Sequence, residues 1–260
     1  MNVLFIGDVV GKPGRQAVQA FLKPIQSEYH IDLTIANGEN AAGGNGLTKD
    51  VAQELFGFGI EFITMGNHVW DKREIMTYIE EEARIIRPAN YPLGAPGKGY
   101  GIIRRKGVKV GIVNLSGRIF MPTLDDPFSM ASRLAEMIRQ ETPNIFLDFH
   151  AEATSEKIAL GWFLDGKVSA ILGTHTHVQT ADERLLTRGT AYITDVGMTG
   201  PRDSVLGVKK ELIINRFLTQ LPTKFEIAAG VLQFNAVVVD LDETSGRARG
   251  ITRIQRLSED

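Results

Sequence analysis

Cysteine is absent from the 260 residues of the chain. Disulfide bonds, thiolate nucleophiles, iron–sulfur clusters and cysteine-type zinc sites are therefore excluded. Any bound metal ion must be held by nitrogen and oxygen atoms, which histidine, carboxylate and amide side chains supply. The chain has five histidines, so the set of candidate nitrogen ligands is small.

Clusters of lysine and arginine are also missing, and the formal net charge is −2. Proteins that coat nucleic acids or bind membrane surfaces need such clusters, so we expect neither class, although a short nucleic-acid substrate stays compatible with the charge. No apolar stretch approaches the ~20 residues of a membrane span. The first eight residues resemble a short strand that ends at Asp8, not a signal peptide. We therefore expect a cytoplasmic protein that does not contact a membrane.

Short β-branched runs alternate with amphipathic stretches along the chain. The predicted strands are 3–7, 33–37, 62–66, 108–115, 145–149, 168–173, 191–195 and 236–241. The predicted helices are 15–29, 49–56, 72–82, 129–140 and 208–218, with Asp71 and Ser129 as candidate N-caps. Several strands are apolar nearly throughout, as strands buried on both faces are. This alternation indicates an α/β architecture.

Residues 99–105 and 109–115 flank Lys106-Gly107, which predicts a β-hairpin. Because a hairpin joins antiparallel strands, the sheets should be mixed rather than purely parallel. Hydrophobic residues make up 43% of the chain, enough for the core of one large domain. We therefore expect a single domain over residues 1–260, to which inserted loops could add a small cap.

Polar residues of the kind that bind metals follow five of the predicted strands. They are Asp8, Glu39 with Asn40, Asn67 with His68, His150, and the pair His175 and His177. Taken singly, Asp8 could cap a helix and Glu39 could be a solvated loop acid. Asn67 could be a turn residue, and His150 a satisfied buried histidine. Sites form at the carboxyl ends of strands in open α/β sheets, so the coincidence at five strand ends favours a shared site.

The segment Gly173-Thr-His175-Thr-His177 is the strongest single signal. Residues i and i+2 of an extended segment point to the same side, so both imidazoles can face one centre.

Two cations close together need a shared anionic bridge, and one carboxylate can span metals roughly 3.5–4 Å apart. Imidazole and carboxylate ligands suit Fe, Mn, Zn or Co better than Ca or Mg.

These residues resemble the motifs of the calcineurin-like metallophosphoesterases, in the order of that superfamily. The matching elements are Gly7-Asp8, Gly38-Glu39-Asn40, Gly66-Asn67-His68, His150 and Gly173-Thr-His175-Thr-His177. Val10 stands where the first motif normally has a histidine, and Glu39 stands where the bridging residue is normally Asp. A narrower group, the YmdB-like bacterial phosphodiesterases, shows similar departures from the superfamily pattern. The chain also resembles this group in segments 8–14, 37–44 and 194–202.

The resemblance implies a four-layer α/β sandwich in which two mixed β-sheets are flanked by α-helices. It implies two divalent transition metals per chain, iron or manganese with zinc as an option. The implied reaction is phosphodiester hydrolysis, with 2′,3′-cyclic nucleotides such as 2′,3′-cAMP as substrates and a hydroxide activated by both metals. The substrate would be a small nucleotide or a short RNA phosphodiester, and a homo-oligomer is compatible with the sequence.

The family pattern also divides the ligands between the metals. One metal would be held by Asp8, Glu39, Asn40 and His177. The other would be held by Glu39, Asn67, His150 and His175, so that Glu39 bridges the two.

His68 follows Asn67 directly, and neighbours in an extended segment point in opposite directions. His68 therefore need not touch a metal when Asn67 does, and we expect it to act as general acid on the leaving oxygen. The loop 117–127 contains two prolines and is a candidate lid. We expect its apolar residues Ile119, Phe120 and Met121 near the mouth of the site.

Other functions remain compatible with the same residues. A phosphomonoesterase of the same superfamily would use the same ligands, and a paired assay on monoesters and diesters would separate the two. A regulatory protein could keep the metals and act by contact with a partner. A structural protein with a vestigial site is a third reading, against which the intact ligand set argues.

Overall fold

A computed structural model describes residues 1–259 of the chain. Within this range the chain forms fourteen strands and six helices. The strands are β1 Asn2–Ile6, β2 Asp8–Val9, β3 Leu33–Asn37, β4 Phe62–Thr64, β5 Ile85–Ile86, β6 Tyr100–Arg105, β7 Val108–Ser116, β8 Ile145–His150, β9 Ala170–Thr174, β10 Arg184–Leu185, β11 Ala191–Ile193, β12 Met198–Pro201, β13 Leu232–Leu241 and β14 Ala248–Leu257. The helices are α1 Gly11–Glu28, α2 Lys49–Phe58, α3 Ile75–Glu81, α4 Pro127–Arg139, α5 Thr154–Leu164 and α6 Lys210–Thr219.

The strands form two mixed sheets. In the first sheet, β1, β3, β4 and β5 are parallel, and β13 lies antiparallel to β1. Strands β12 and β14 both pair with β13, and β2 continues beyond β12. In the second sheet, β7, β8, β9 and β11 are parallel, with β6 and β10 antiparallel at the two edges. The mixed sheets that the hairpin predicted are confirmed.

The two sheets pack face to face through one shared apolar layer. Alternate residues of the first sheet, such as Phe5 and Ile35, meet Ile112, Phe146 and Leu172 of the second. The outer face of the first sheet packs against α1, α2 and α3, and that of the second sheet against α4 and α5. Both faces of the central strands are thus covered, which explains their nearly continuous apolar sequences. The predicted four-layer sandwich is confirmed.

The eight predicted strands and five predicted helices are present, and so is the hairpin. Strand β3 has the predicted ends, and the other elements have shifted ends. Lys106 and Gly107 both have positive φ, 48° and 86°, as the tight turn between β6 and β7 requires. The predicted N-caps were wrong. Helix α4 begins earlier, at Pro127, and the Asp126 carboxylate accepts from the backbone of its first turn. Helix α3 begins at Ile75, beyond the reach of Asp71.

Helix α5 and strand β14 were not predicted, because neither shows a regular hydrophobic pattern in the sequence. Helix α5 buries Glu156 and Lys157, two charged residues that a sequence pattern assigns to the solvent face. Strand β14 lies at the margin of the first sheet and is largely exposed, so polar residues interrupt its alternation. Among the helices of residues 1–259, none combines the length and the apolar character that a bilayer crossing requires.

Candidate metal centre

The strand ends of both sheets meet at one edge of the sandwich. From the first sheet come Asp8, which begins β2 two residues beyond β1, Glu39 just after β3 and Asn67 just after β4. From the second sheet come His150, the last residue of β8, and His175, the residue after β9. Because these strands are parallel within each sheet, their carboxyl ends lie side by side, as predicted from the sequence.

His150 lies at the centre of this group and is fully buried. Its Nε2 atom is 2.9 Å from Glu39 Oε1, 3.0 Å from His175 Nδ1 and 3.1 Å from Asn67 Oδ1. Potential ligand atoms of Glu39, His150 and His175 all lie within 4.8 Å of one another. One cation could contact all three.

Asp8 and His177 form the other side of the group. The buried Asp8 carboxylate accepts from the backbone N–H of His175 through Oδ2, at 3.3 Å. Its Oδ1 lies 4.0 Å from His177 Nε2 and 3.8 Å from His150 Nδ1. The Asn40 side chain donates to Gly44 O, but no hydrogen bond within residues 1–259 joins it to another predicted ligand.

Two oxygen atoms of the predicted ligands lack the partners that buried polar atoms require. Asp8 Oδ1 and Asn40 Oδ1 are both buried, and neither accepts a hydrogen bond from any described residue. Leaving such an atom unsatisfied costs about 1–3 kcal/mol, and more when it is charged. An oxygen atom near imidazole nitrogens, as Asp8 Oδ1 is, belongs to the donor set that a divalent transition metal takes. The residues present therefore fit a metal centre.

A buried hydrogen-bond chain orients His150. The Thr174 hydroxyl donates to Asp148 Oδ1 at 2.7 Å and lies 2.9 Å from His150 Nδ1. With its proton given to Asp148, Thr174 can accept from Nδ1, so that in the neutral ring Nε2 carries the free lone pair. His177 is oriented similarly, because its Nδ1 lies 3.3 Å from the Leu206 carbonyl oxygen. Both arrangements direct Nε2 toward the carboxylates.

Asp148 and Thr174 were not predicted as functional residues. A signal for Asp148 was present, since it is an acidic residue inside the otherwise apolar strand β8. It also accepts from Asn37 Nδ2 at 2.9 Å, which ties the second sheet to the first. Thr174 had no comparable signal, because a threonine in a buried strand is ordinary.

The electrostatics of the group follow from its burial. Burial alone would lower the pKa of His150, but the carboxylates of Glu39 and Asp8 raise it to about 9. Burial alone would raise the pKa of Glu39, but the charge of His150 holds it at about 2. Burial raises the pKa of Asp8 well above its ordinary value. Burial also lowers the pKa of both other histidines. The pKa of His175 falls to about 3, and that of His177 lies below its ordinary value. The Glu39 carboxylate thus favours the positively charged form of His150, a charge whose place a bound cation would take.

His175 and His177 were predicted to face one centre because they lie two residues apart in an extended segment, and this reason was wrong. The segment is not extended, since β9 ends at Thr174 and the two histidines have φ of 96° and 65°. These are left-handed conformations that non-glycine residues rarely adopt. His175 nevertheless contacts His150, and His177 faces Asp8, so the predicted pair does converge on the group.

His68 lies at the rim of the group. It follows Asn67 in a turn rather than in an extended segment, and its backbone N–H donates to Glu39 Oε2 at 3.0 Å. Its ring is 39% exposed, and Nδ1 lies 2.9 Å from Asp71 Oδ2. No hydrogen bond within the described residues joins the ring to a predicted metal ligand.

Two further positions bear on the predictions. Val10, where the superfamily has a histidine, is buried and precedes α1, so this position supplies no ligand. The loop 117–127 starts beside the group, because Gly117 N donates to His150 O at 2.9 Å. Phe120 is 90% exposed and Met121 packs against the core of the second sheet. The placement of this loop at the mouth of a site stays a prediction.

The sequence model of the YmdB-like protein family matches residues 4–254 of the chain. The chain belongs to the YmdB-like family. The resemblance inferred from the motifs is thereby confirmed. A Bacillus subtilis (strain 168) member named 2′,3′-cyclic-nucleotide 2′-phosphodiesterase is 52% identical over 254 residues, which cover 98% of this chain and 96% of that protein.

Two solved structures are similar to this YmdB-like chain over its whole length. A hypothetical protein from Thermus thermophilus has a TM-score of 0.93 at 44% identity, and 100% of its chain is covered. A protein from Mycoplasma pneumoniae, described as a novel phosphatase, has a TM-score of 0.94 at 34% identity, with 94% of its chain covered. Both similarities extend over the two sheets and the edge that carries the candidate metal centre.

Proposed function

We propose that the chain is a metal-dependent phosphodiesterase of the cytoplasm that hydrolyses 2′,3′-cyclic nucleotides. The observation that carries the proposal is the cluster of buried Glu39 and His150 with half-buried His175, beside an unpaired oxygen of Asp8. A donor set of this kind binds divalent transition metals, and the family includes a protein named as a 2′,3′-cyclic-nucleotide phosphodiesterase. The substrate would be a small nucleotide or the end of a short RNA.

We assign the ligands to two metals, with iron or manganese favoured and zinc as an option. One metal would be held by Asp8, Glu39, Asn40 and His177. The other would be held by Glu39, Asn67, His150 and His175. The unpaired oxygens of Asp8 and Asn40 support the first set, and the contacts around His150 Nε2 support the second.

Two divalent metals, when bound, lower the pKa of a water molecule and neutralise the charge on phosphoryl oxygens. The protein contributes the orientation of the ligands and the proton for the leaving group. His68 can supply that proton, because Asp71 holds its Nδ1 while the exposed ring leaves Nε2 free to face a substrate. The Asp71 carboxylate also fixes the orientation of the ring.

A phosphomonoesterase is the second candidate, since the similar Mycoplasma pneumoniae protein is described as a phosphatase. Protein purified without chelators and supplied with Mn²⁺ should hydrolyse 2′,3′-cAMP faster than the monoesters 2′-AMP and 3′-AMP. Faster turnover of the monoesters would support the second candidate instead.

Substitution of the bridging residue tests the site itself. Glu39→Gln should abolish most activity and reduce metal content, because an amide cannot neutralise two cations. The control is Glu80→Gln, which changes an exposed acid of α3. If Glu39→Gln binds two metals and turns over like the control, Glu39 is not the bridge.

A further inference from the structure

Thr176 lies between the two proposed metal ligands His175 and His177. Both histidines have left-handed backbone conformations, with φ of 96° and 65°. A non-glycine residue in such a conformation costs about 1–3 kcal/mol and persists only when its surroundings impose it. Some contact must therefore hold this segment in place, and Thr176 is the residue between the two strained positions.

The Asp195 side chain makes that contact. Its Oδ2 atom accepts from the backbone N–H of Thr176 at 3.0 Å and from the Thr176 hydroxyl at 2.6 Å. Its Oδ1 atom accepts from Gly197 N at 2.8 Å. Asp195 follows β11 in the second sheet and is fully buried, so it is a fixed point relative to the sheet.

A buried lysine compensates the charge of this carboxylate. Lys157 extends from α5, is 1% exposed, and places Nζ 2.7 Å from Asp195 Oδ2. The same Nζ lies 3.5 Å from the Thr176 hydroxyl oxygen. A carboxylate can stay ionised in the interior only when it is paired and hydrogen-bonded in this way. Neither Lys157 nor Asp195 contacts the group around His150 directly through a hydrogen bond within residues 1–259.

We propose that Asp195 and Lys157 are positioning residues that act through Thr176 to hold His175 and His177 in their metal-binding orientation. This inference rests on the proposed function, since it assumes that both histidines bind metal. Groups that orient metal ligands typically contribute about 10- to 100-fold to metal affinity. The alternative is a buried ion pair that stabilises the fold and does nothing for the site.

Thr176→Val tests the contact with little change in side-chain volume. Mn²⁺ affinity, measured by calorimetry, should fall about 10- to 100-fold, and the Mn²⁺ paramagnetic resonance spectrum should change. Thr176→Ser keeps the hydroxyl and should restore both. Thr187→Val is the matched control, because it removes another threonine hydroxyl that donates to an aspartate, Asp165, at 2.8 Å.

The thermal midpoint of the metal-free proteins separates positioning from plain stabilisation. A positioning role predicts weaker Mn²⁺ binding by Thr176→Val at an unchanged metal-free midpoint. Parent-like affinity, or a loss of affinity matched by a fall in that midpoint, would overturn the inference.

A second variant removes both buried charges together, so that neither is left unpaired. Lys157→Met combined with Asp195→Leu should weaken Mn²⁺ binding at least as much as Thr176→Val, whereas parent-like binding would also overturn the inference. A parent protein that binds no Mn²⁺ would overturn the proposed metal centre as well. If the parent binds Mn²⁺ and the variants bind it equally well, only the positioning role is overturned and the proposed metal centre is unaffected.

Discussion

Glycine at position 66 lets Glu39 and His150 approach the chain after β4. A Cβ atom at this position would overlap with Glu39 Oε2 and with His150 Nε2. Neither ring nor carboxylate can move far, because both are buried and hydrogen-bonded within the group. The absence of a side chain at this residue is therefore a requirement of the site.

Gly66→Ala should displace both ligands and reduce metal content and diester hydrolysis by at least tenfold. Gly57→Ala is the control, since a Cβ there meets no atom within 4 Å. Gly57 lies in helix α2, where alanine should add up to about 1 kcal/mol of stability. Elemental analysis and turnover, measured on both proteins, check the prediction. Normal metal content in Gly66→Ala would show that the site relaxes around the methyl group.

His68 should matter for turnover but not for metal loading. Its ring has no hydrogen bond to a predicted ligand within residues 1–259, and general acid catalysis typically contributes about 10²–10⁴-fold. His68→Ala should therefore keep its metals while losing hydrolysis of 2′,3′-cAMP. A nitrophenyl diester needs less protonation of its leaving group and should lose less activity.

Asp71→Asn provides a companion to that experiment. It removes the carboxylate that faces Nδ1 and should reproduce part of the His68→Ala loss. Equal losses on poor and good leaving groups, with metals retained, would assign His68 to phosphate binding instead. A fall in metal content together with activity would assign it to the support of Asn67.

The residue types of the site were predictable, and their supports mostly were not. Asp8, Glu39 and His150 stand at strand ends, where a sequence pattern can find them. Thr176 and Asp195 were missed because their roles depend on long-range contacts with the interior and with α5. A sequence carries no local signal for such a contact.

At the scale of elements, the loop 117–127 has an anchored base and an exposed tip. Strand β7 delivers it next to His150, through the pairing of Ser116 with His150. Its base is anchored, because the backbone N–H groups of Arg118 and Ile119 donate to Glu156 of α5. Its tip, Phe120, is 90% exposed with φ of 61°. An exposed aromatic ring on such a tip suits contact with a nucleobase.

Phe120→Ala should raise the KM for 2′,3′-cAMP several-fold with little change in metal content. The ring would contribute stacking, which is typically about 1–3 kcal/mol per base. A nitrophenyl diester without a nucleobase should show a smaller change. Exposed Leu93, on a different loop, provides the control as Leu93→Ala. If both variants keep the parent KM on the nucleotide, the loop does not contact it.

The accuracy of the sequence-based prediction differed between individual helices and strands. Strands such as β3, buried on both faces, show a continuous apolar run and were predicted closely. Helix α5 was missed because it buries two charged residues. Lys157 pairs with Asp195, and Glu156 accepts from the backbone of the 117–127 loop. Elements whose charged residues serve buried partners depart from the amphipathic pattern that sequence analysis uses.

At the scale of the whole molecule, the candidate metal centre joins the two sheets at one edge. Asp8 and Glu39 come from the first sheet, and His150 and His175 from the second. The α/β class followed from the alternation of elements, and the four-layer architecture was implied by the family resemblance. The sequence could not show how closely the two edges meet, since that depends on the packing of the shared layer between the sheets.

A centre that joins the sheets should couple metal binding to global stability. A ligand that binds only the folded state at about a hundredfold excess over its Kd stabilises it by about 2.7 kcal/mol. For a chain of this size, that corresponds to a rise of roughly 5–10 °C in the thermal midpoint. Removal of the metal by a chelator should therefore lower the midpoint of the parent protein by that amount, and Mn²⁺ should restore it. Glu39→Gln should respond much less, because the variant lacks the carboxylate that we propose as the bridging ligand from the first sheet. Calorimetric scans of both proteins, with and without chelator, decide the matter: equal shifts in the two would place the stabilising metal elsewhere.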